Sequence, residues 1–280
     1  MTRRRTAVPT TFRSATLGAA VTLVLGLALT GCAGEAGQGD RAERPARDGA
    51  AVTSALRSMA ERAEQEAQFD KAAAHYGRLA ERSDNPLPAR LDQARLLRYA
   101  GQPQEAMLVL QRLLDDLPER SAEARAVKLE LAKAQLAGGL VPDAAALLED
   151  MRAQDPGDAP MQKLLGIAYD RLDRPQDART AYQTALALAP DDVEAANNYA
   201  LSLAMTGDID QGIALLEKQA KRPGAPLQVR QNLALLYAMK GDVPRAERMV
   251  RRHLPADLAE RAVADLRRLA GAEAAKREAD

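Results

Sequence analysis

Few residues in this chain are of a type and spacing that could do chemistry. The two histidines, His75 and His253, are far apart in sequence, so they offer neither a Cys/His metal cluster nor a Ser-His-Asp arrangement. Asp208-x-Asp210-x-Gly212 has the opening of a calcium loop but lacks the third acidic ligand and the closing Glu, and reads as a turn. Asp115-Asp116 and Asp191-Asp192 are paired carboxylates of the kind used in acid–base work, yet each lies at an expected helix end, where Asp serves as a cap. No Gly-rich phosphate loop follows a strand pattern. The residues support no catalytic site, metal or cofactor, and the expectation is a chain that is not an enzyme.

The elements around these residues read as helices. The chain of 280 residues is 46% apolar, with no Trp, two Phe and six Tyr, so its core must be built from Ala and Leu. Small and unbranched side chains favour helices over strands. Four of the Arg residues, Arg3, Arg4, Arg5 and Arg13, lie in a leader expected to be removed, which leaves 35 basic against 39 acidic residues. That balance argues against a nucleic-acid partner.

The leader is 1–31: a basic start, the apolar run Leu17 to Leu29, and small residues before the single cysteine, Cys32. Leu29-Thr30-Gly31-Cys32 resembles the lipobox of bacterial lipoproteins. The resemblance implies that Cys32 carries a diacylglyceryl group (with palmitate among its chains) and becomes the mature N-terminus. Several acyl chains on one residue hold a protein at a bilayer almost permanently. Ala33 replaces the Asp associated with inner-membrane retention, so the expected location is the periplasmic side of the outer membrane. Residues 32–52 read as a flexible tether.

From residue 53 a period of 34 residues governs the chain. In 159–192 the sequence offers Leu165-Gly166, Tyr169, Ala178, Tyr182, Ala185 and Pro190, the signature of a tetratricopeptide repeat. The same register gives Tyr199-Ala200, Gly207 and Gly212, then Leu233-Ala234, Tyr237, Gly241 and Ala246, and backwards Leu131-Ala132, Gly139 and Ala144. A unit at 87–120 is followed by a four-residue insertion, Ser121 to Ala124, and a degenerate unit at 53–86 precedes it. The predicted fold is all-α: a solenoid of about six helix-turn-helix units over 53–260. A capping helix and polar tail are expected at 257–280, with Leu258, Val263, Leu266 and Leu269 on its buried side. Asp158 and Asp191 are N-cap candidates, and Gly207 and Gly241 end first helices in a left-handed conformation.

In tetratricopeptide solenoids the first helices line a concave groove that takes peptides or partner helices. That resemblance nominates Arg95, Arg98, Tyr99, Lys133, Lys163, Arg171, Asn197, Leu201, Met205, Gln231, Leu235 and Met239 as groove residues, running from basic to apolar. The stretch Asn197-Asn198-Tyr199-Ala200-Leu201-Ser202-Leu203-Ala204, with Val229 to Ala238 and Arg248 to Pro255, resembles the TadD family, tetratricopeptide-repeat lipoproteins of the tight-adherence (Flp) pilus assembly system. The resemblance implies an assembly factor of a pilus secretion apparatus, pilotin-like toward the outer-membrane secretin. A pilotin of another type IV pilus class and a periplasmic scaffold for a peptidoglycan-modifying enzyme are the alternatives.

Overall fold

In a computed structural model the backbone is described for residues 40–279 and side chains for 49–275. The leader and Cys32 lie outside the described residues. Backbone contacts divide the chain into Met1–Pro45, of which only the opening residues of the first helix are described, and Ala46–Asp280.

Thirteen helices account for the regular structure of the described residues: α1 (Asp40–Gln65), α2 (Phe69–Ala80), α3 (Leu87–Tyr99), α4 (Pro103–Asp115), α5 (Ala122–Ala137), α6 (Val141–Gln154), α7 (Ala159–Arg171), α8 (Pro175–Leu188), α9 (Val193–Met205), α10 (Ile209–Ala220), α11 (Leu227–Lys240), α12 (Val243–His253) and α13 (Ala256–Ala279). Each even-numbered helix through α12 closes a unit, as the period required. Helix α1 begins at Asp40, so the last part of the segment expected to be a flexible tether is helical. Its Ala-, Arg- and Glu-rich composition is that of a good helix former. The expected polar tail is likewise helical, to Ala279.

One hydrogen bond shows how regular the units are. At each turn between the helices of a unit, a backbone N–H reaches back five residues: Gln68 to Ala63, Gln102 to Leu97, Leu140 to Gln135, Arg174 to Tyr169, Asp208 to Leu203 and Asp242 to Tyr237, all at 2.8–2.9 Å. This is the outer bond of a Schellman motif, and it requires a left-handed residue just before the donor. Ala67, Gly101, Gly139, Asp173, Gly207 and Gly241 occupy those positions with φ between 54° and 95°. The donors are spaced by the repeat period except between Gln102 and Leu140, where the insertion falls.

The insertion does not bulge out as a loop. Ser121 caps α5 by accepting the Ala124 N–H at 3.0 Å, and the inserted residues become its first turn. Asp158 caps α7 as expected, accepting from Met161 N–H at 2.9 Å. For α9 the cap is Asp192, which accepts from Ala195 N–H, and not Asp191; Asp191 is 86% exposed and pairs with Arg222. The register of the backbone turn, one residue later than the sequence suggested, selects between the two neighbours.

Three contiguous apolar clusters fill the interior, over α1–α5, α5–α9 and α9–α13. Small residues set the distance between helices. A methyl on Gly166 would lie 2.5 Å from the Tyr182 ring, and one on Gly212 2.5 Å from the Ala200 carbonyl oxygen. Ala178, Ala200 and Ala246 are fully buried. Helix α13 packs on α11 and α12 through Ala259, Val263 and Leu266, whereas Leu258, expected inward, is outward and exposed. Leu258 immediately precedes Ala259 and so sits about 100° round the helix axis from it, off the buried stripe of Ala259, Val263 and Leu266.

Candidate partner-binding face

First helices pack on the next first helices: α3 on α5, α5 on α7, α7 on α9 and α9 on α11. Every residue nominated for the groove lies on one of these helices, so the structure brings the nominated set together as one succession of neighbours. Their partners, however, divide them into two groups.

The basic members are occupied within the protein. Arg95 donates to Glu64 at 2.6 Å and to Asp92 at 3.0 Å, and the Glu64 hydrogen bond is the largest cause holding its guanidinium above the ordinary range. Arg98 approaches Glu130 at 3.7 Å and lies over the Tyr99 ring at 4.6 Å. Lys133 binds the same Glu130 at 2.6 Å. Lys163 bridges to Asp192 at 2.9 Å and Glu194 at 2.7 Å with its side chain only 15% exposed. Burial depresses its ammonium, and the two carboxylates outweigh that and hold it above its ordinary value. Arg171 donates to the Leu136 carbonyl at 2.6 Å.

The bonds of Arg95 to Glu64, Arg98 to Glu130, Lys163 to Asp192 and Glu194, and Arg171 to Leu136 link residues about one repeat apart, whereas Arg95–Asp92 and Lys133–Glu130 lie within one helix. The cross-repeat bonds tie one first helix to the next, so the basic residues nominated for the groove are engaged within the protein. Asn197 is engaged too: it is 4% exposed and its side-chain oxygen accepts from Asn232 at 2.9 Å, between α9 and α11. A shared face gives a cation two possible carboxylates, one on a partner and one on the adjacent repeat, and here the adjacent repeat has supplied it.

The apolar members are more open. Met205 is 79% exposed, Gln231 is exposed, and Leu201, Leu235 and Met239 are half-buried on the adjoining α9 and α11. Tyr99 is exposed at the other end, with the Phe69 ring 5.6 Å away. Sequence reasoning missed Asp170, whose carboxylate accepts from the Tyr182 hydroxyl at 2.9 Å and from Ser202 at 2.6 Å. The Tyr182 bond lies within one repeat and the Ser202 bond crosses to the next, a side-chain pairing that periodicity does not reveal.

Asp208 and Asp210 form no calcium loop: Asp208 precedes α10 and pairs with Arg179, while Asp210 lies in its first turn and pairs with Lys240. Among the described residues there is no group of three or more His, Cys, Asp or Glu that could hold a metal ion, and no helix long and apolar enough to cross a membrane. A cavity of about 580 Å³ opens beside Arg125, which spans it to Asp155 at 2.6 Å and Asp158 at 2.8 Å.

Residues 91–159 and 163–226 match the tetratricopeptide-repeat family model. These stretches are tetratricopeptide repeats. The same turn geometry at Gln68 and Asp242 extends the solenoid on either side of them. Similar solved structures include a thermophilic tetratricopeptide-repeat protein of Thermus thermophilus, 23% identical with a TM-score of 0.53 over 67% of this chain and 98% of that one. A tetratricopeptide-repeat protein from Parabacteroides merdae ATCC 43184 is 15% identical, with a TM-score of 0.57 over 81% and 93%. A putative kinesin light chain with nearly identical repeats from Podosopora anserina is 22% identical, with a TM-score of 0.51 over 65% and 96%. At these identities the likeness is one of fold. No curated protein matches the sequence. Tetratricopeptide repeats act as scaffolds for protein–protein contact, presenting a surface that many stacked units share.

Proposed function

We propose that this chain is a non-catalytic scaffold that holds a protein partner on its first-helix face, at the open apolar stretch of α9 and α11. The observation that carries the reading is the contrast along that face: the cations of the earlier first helices are bound within the protein, while Met205 is exposed beside the half-buried Leu201 and Leu235. Methionine and leucine side chains adapt to a partner helix at little cost.

The finer reading places the scaffold in the cell envelope as an assembly factor of the tight-adherence pilus apparatus, pilotin-like toward the secretin. Its support is the lipobox-like Leu29 to Cys32 and the resemblance carried by Asn197 to Pro255. Acylated Cys32 would anchor the protein on the periplasmic side of the outer membrane.

The test is deletion of the gene with measurement of heat-resistant secretin multimers in the outer-membrane fraction, alongside a Cys32→Ala allele. Loss of multimers in both strains is expected. Normal multimers without surface pili would place the role after the secretin, and normal multimers with normal pili would favour the scaffold for a wall enzyme.

A further inference from the structure

Residues 218–256 hold nine Lys or Arg against only Asp242 and Glu247, in a chain whose total charge is zero. Four of the nine are neutralised: Arg222 by Asp191, Lys240 by Asp210, Arg245 by Asp242 and Arg251 by Glu260. Glu247 is taken by Arg267. Arg230, Arg248 and Arg252 have no carboxylate within ion-pair distance among the described residues; Arg230 donates to the Ala225 carbonyl instead.

Two basic side chains converge. Arg230 on the first turns of α11 and His253 at the end of α12 line one small cleft with Leu227, Met249 and Leu254. Arg252, exposed, precedes His253 on α12, and Arg248, also exposed, lies one turn earlier. Burial first, then Arg230 and Arg252, push the His253 imidazole below its ordinary value, in keeping with cations that face the ring. The carbonyl end of α12 amounts to about half a negative charge and so accounts for less than one of these cations. Helix α11, with Pro226 at its N-cap position, has no side-chain cap and no acidic residue in its first turn, so it adds to the positive field.

We propose that the cleft between the start of α11 and the end of α12 is a second docking site, one that binds an acidic segment of a partner protein in which an apolar side chain is flanked by carboxylates. The carboxylates meet Arg230, Arg252 and Arg248, and the apolar side chain covers Leu227, 43% exposed, together with Met249 and Leu254. The apolar floor favours a peptide over a phospholipid headgroup or a nucleic-acid backbone, which would use the cations and leave the floor bare. The site rests on the scaffold reading but lies at the end of the α11–α12 pair away from its connecting turn, and it shares only Gln231 with the residues nominated on the first-helix face.

The two histidines make a direct test. The full chain, labelled at histidine, is titrated with short peptides in which Leu or Phe is flanked by Glu, and with Lys-flanked counterparts. The Glu-flanked peptides should move the His253 ring resonances and leave those of His75, on α2, in place. Binding should weaken with salt and fall by at least about tenfold in Arg230→Glu/Arg252→Glu. Because Arg230 also bonds Ala225, the exposed single variant Arg252→Glu is measured beside it, with circular dichroism on both. A still His253 signal, equal binding by the Lys-flanked peptides, or unchanged affinity in the folded variants would overturn the site. So would loss of peptide binding on Met205→Arg rather than Arg252→Glu, which would leave the scaffold reading standing. Sedimentation with phosphatidylglycerol vesicles in the absence of peptide binding would overturn it in favour of a membrane surface.

Discussion

Gly166 lies against the face of Tyr182: a Cβ at Gly166 would fall 2.5–2.7 Å from three atoms of the ring. Tyr182 is itself almost wholly buried and hydrogen-bonded to Asp170, so the ring cannot swing away. The two helices of this repeat are therefore spaced by the absence of one methyl group.

Gly166→Ala should cost about 1–3 kcal/mol through overpacking, and Tyr182→Ala about 3–5 kcal/mol through the cavity it leaves. Combined, they should cost less than the sum, because the methyl occupies space that the ring vacates. Urea unfolding of the three variants checks this; strict additivity would show that the two residues do not share the contact.

Ala67 takes a left-handed conformation, φ 54°, at the position where four of the six turns use Gly. A non-glycine residue there costs roughly 1–2 kcal/mol, while a glycine costs about 0.4–1 kcal/mol through the unfolded chain. Ala67→Gly should thus raise stability by up to about 1 kcal/mol, seen as a higher unfolding midpoint. Asp173→Gly should do less, since Asp tolerates this region better than Ala.

Two carboxylates should move stability in opposite directions with pH. Burial opposes the charge of Asp192, but the Ala195 N–H and the Lys163 ammonium outweigh it and hold the group below its ordinary value. Its stabilisation is present above about pH 4 and is lost as pH falls through the lower folded value. Burial instead raises Asp170, against the hydrogen bonds from Ser202 and Tyr182. Its contribution is present below about pH 4 and is lost as pH rises through the raised folded value. Urea midpoints across this range should fall less steeply with acid in Asp192→Asn, and more steeply with acid in Asp170→Asn, than in the parent.

Met205→Arg and Leu235→Arg should abolish capture of a partner by the first-helix face. Met205→Arg should leave the melting temperature within about 1–2 °C, because exposed substitutions change stability by about 0.5 kcal/mol or less. Leu235→Arg should lower it, because Leu235 is half-buried against the third apolar cluster. Co-purification of the partner with wild type and variants, after equal circular dichroism spectra, checks the separation. Retained capture by both variants would remove this stretch from the binding face.

By itself the sequence determined what repeats locally. Small residues such as Gly166, Ala178 and Gly212 recur where helices touch, and Gly207 and Gly241 recur where a helix must end in a left-handed turn, so the period, the unit boundaries and the all-helical core were legible without coordinates. These are short-range requirements of backbone geometry and close packing, and each repeat states them again. Tertiary structure decided what one repeat does to the next. It gave the α9 cap to Asp192 over Asp191, enclosed Asn197 against Asn232, and bound Arg95, Lys163 and Arg171 to neighbouring repeats, leaving Arg230 and His253 to line one cleft that no carboxylate lines. Such choices depend on side chains about one repeat apart meeting across a helix interface. The repeat period brings those positions side by side, but only the packing angle and the side-chain reach determine which pairs close.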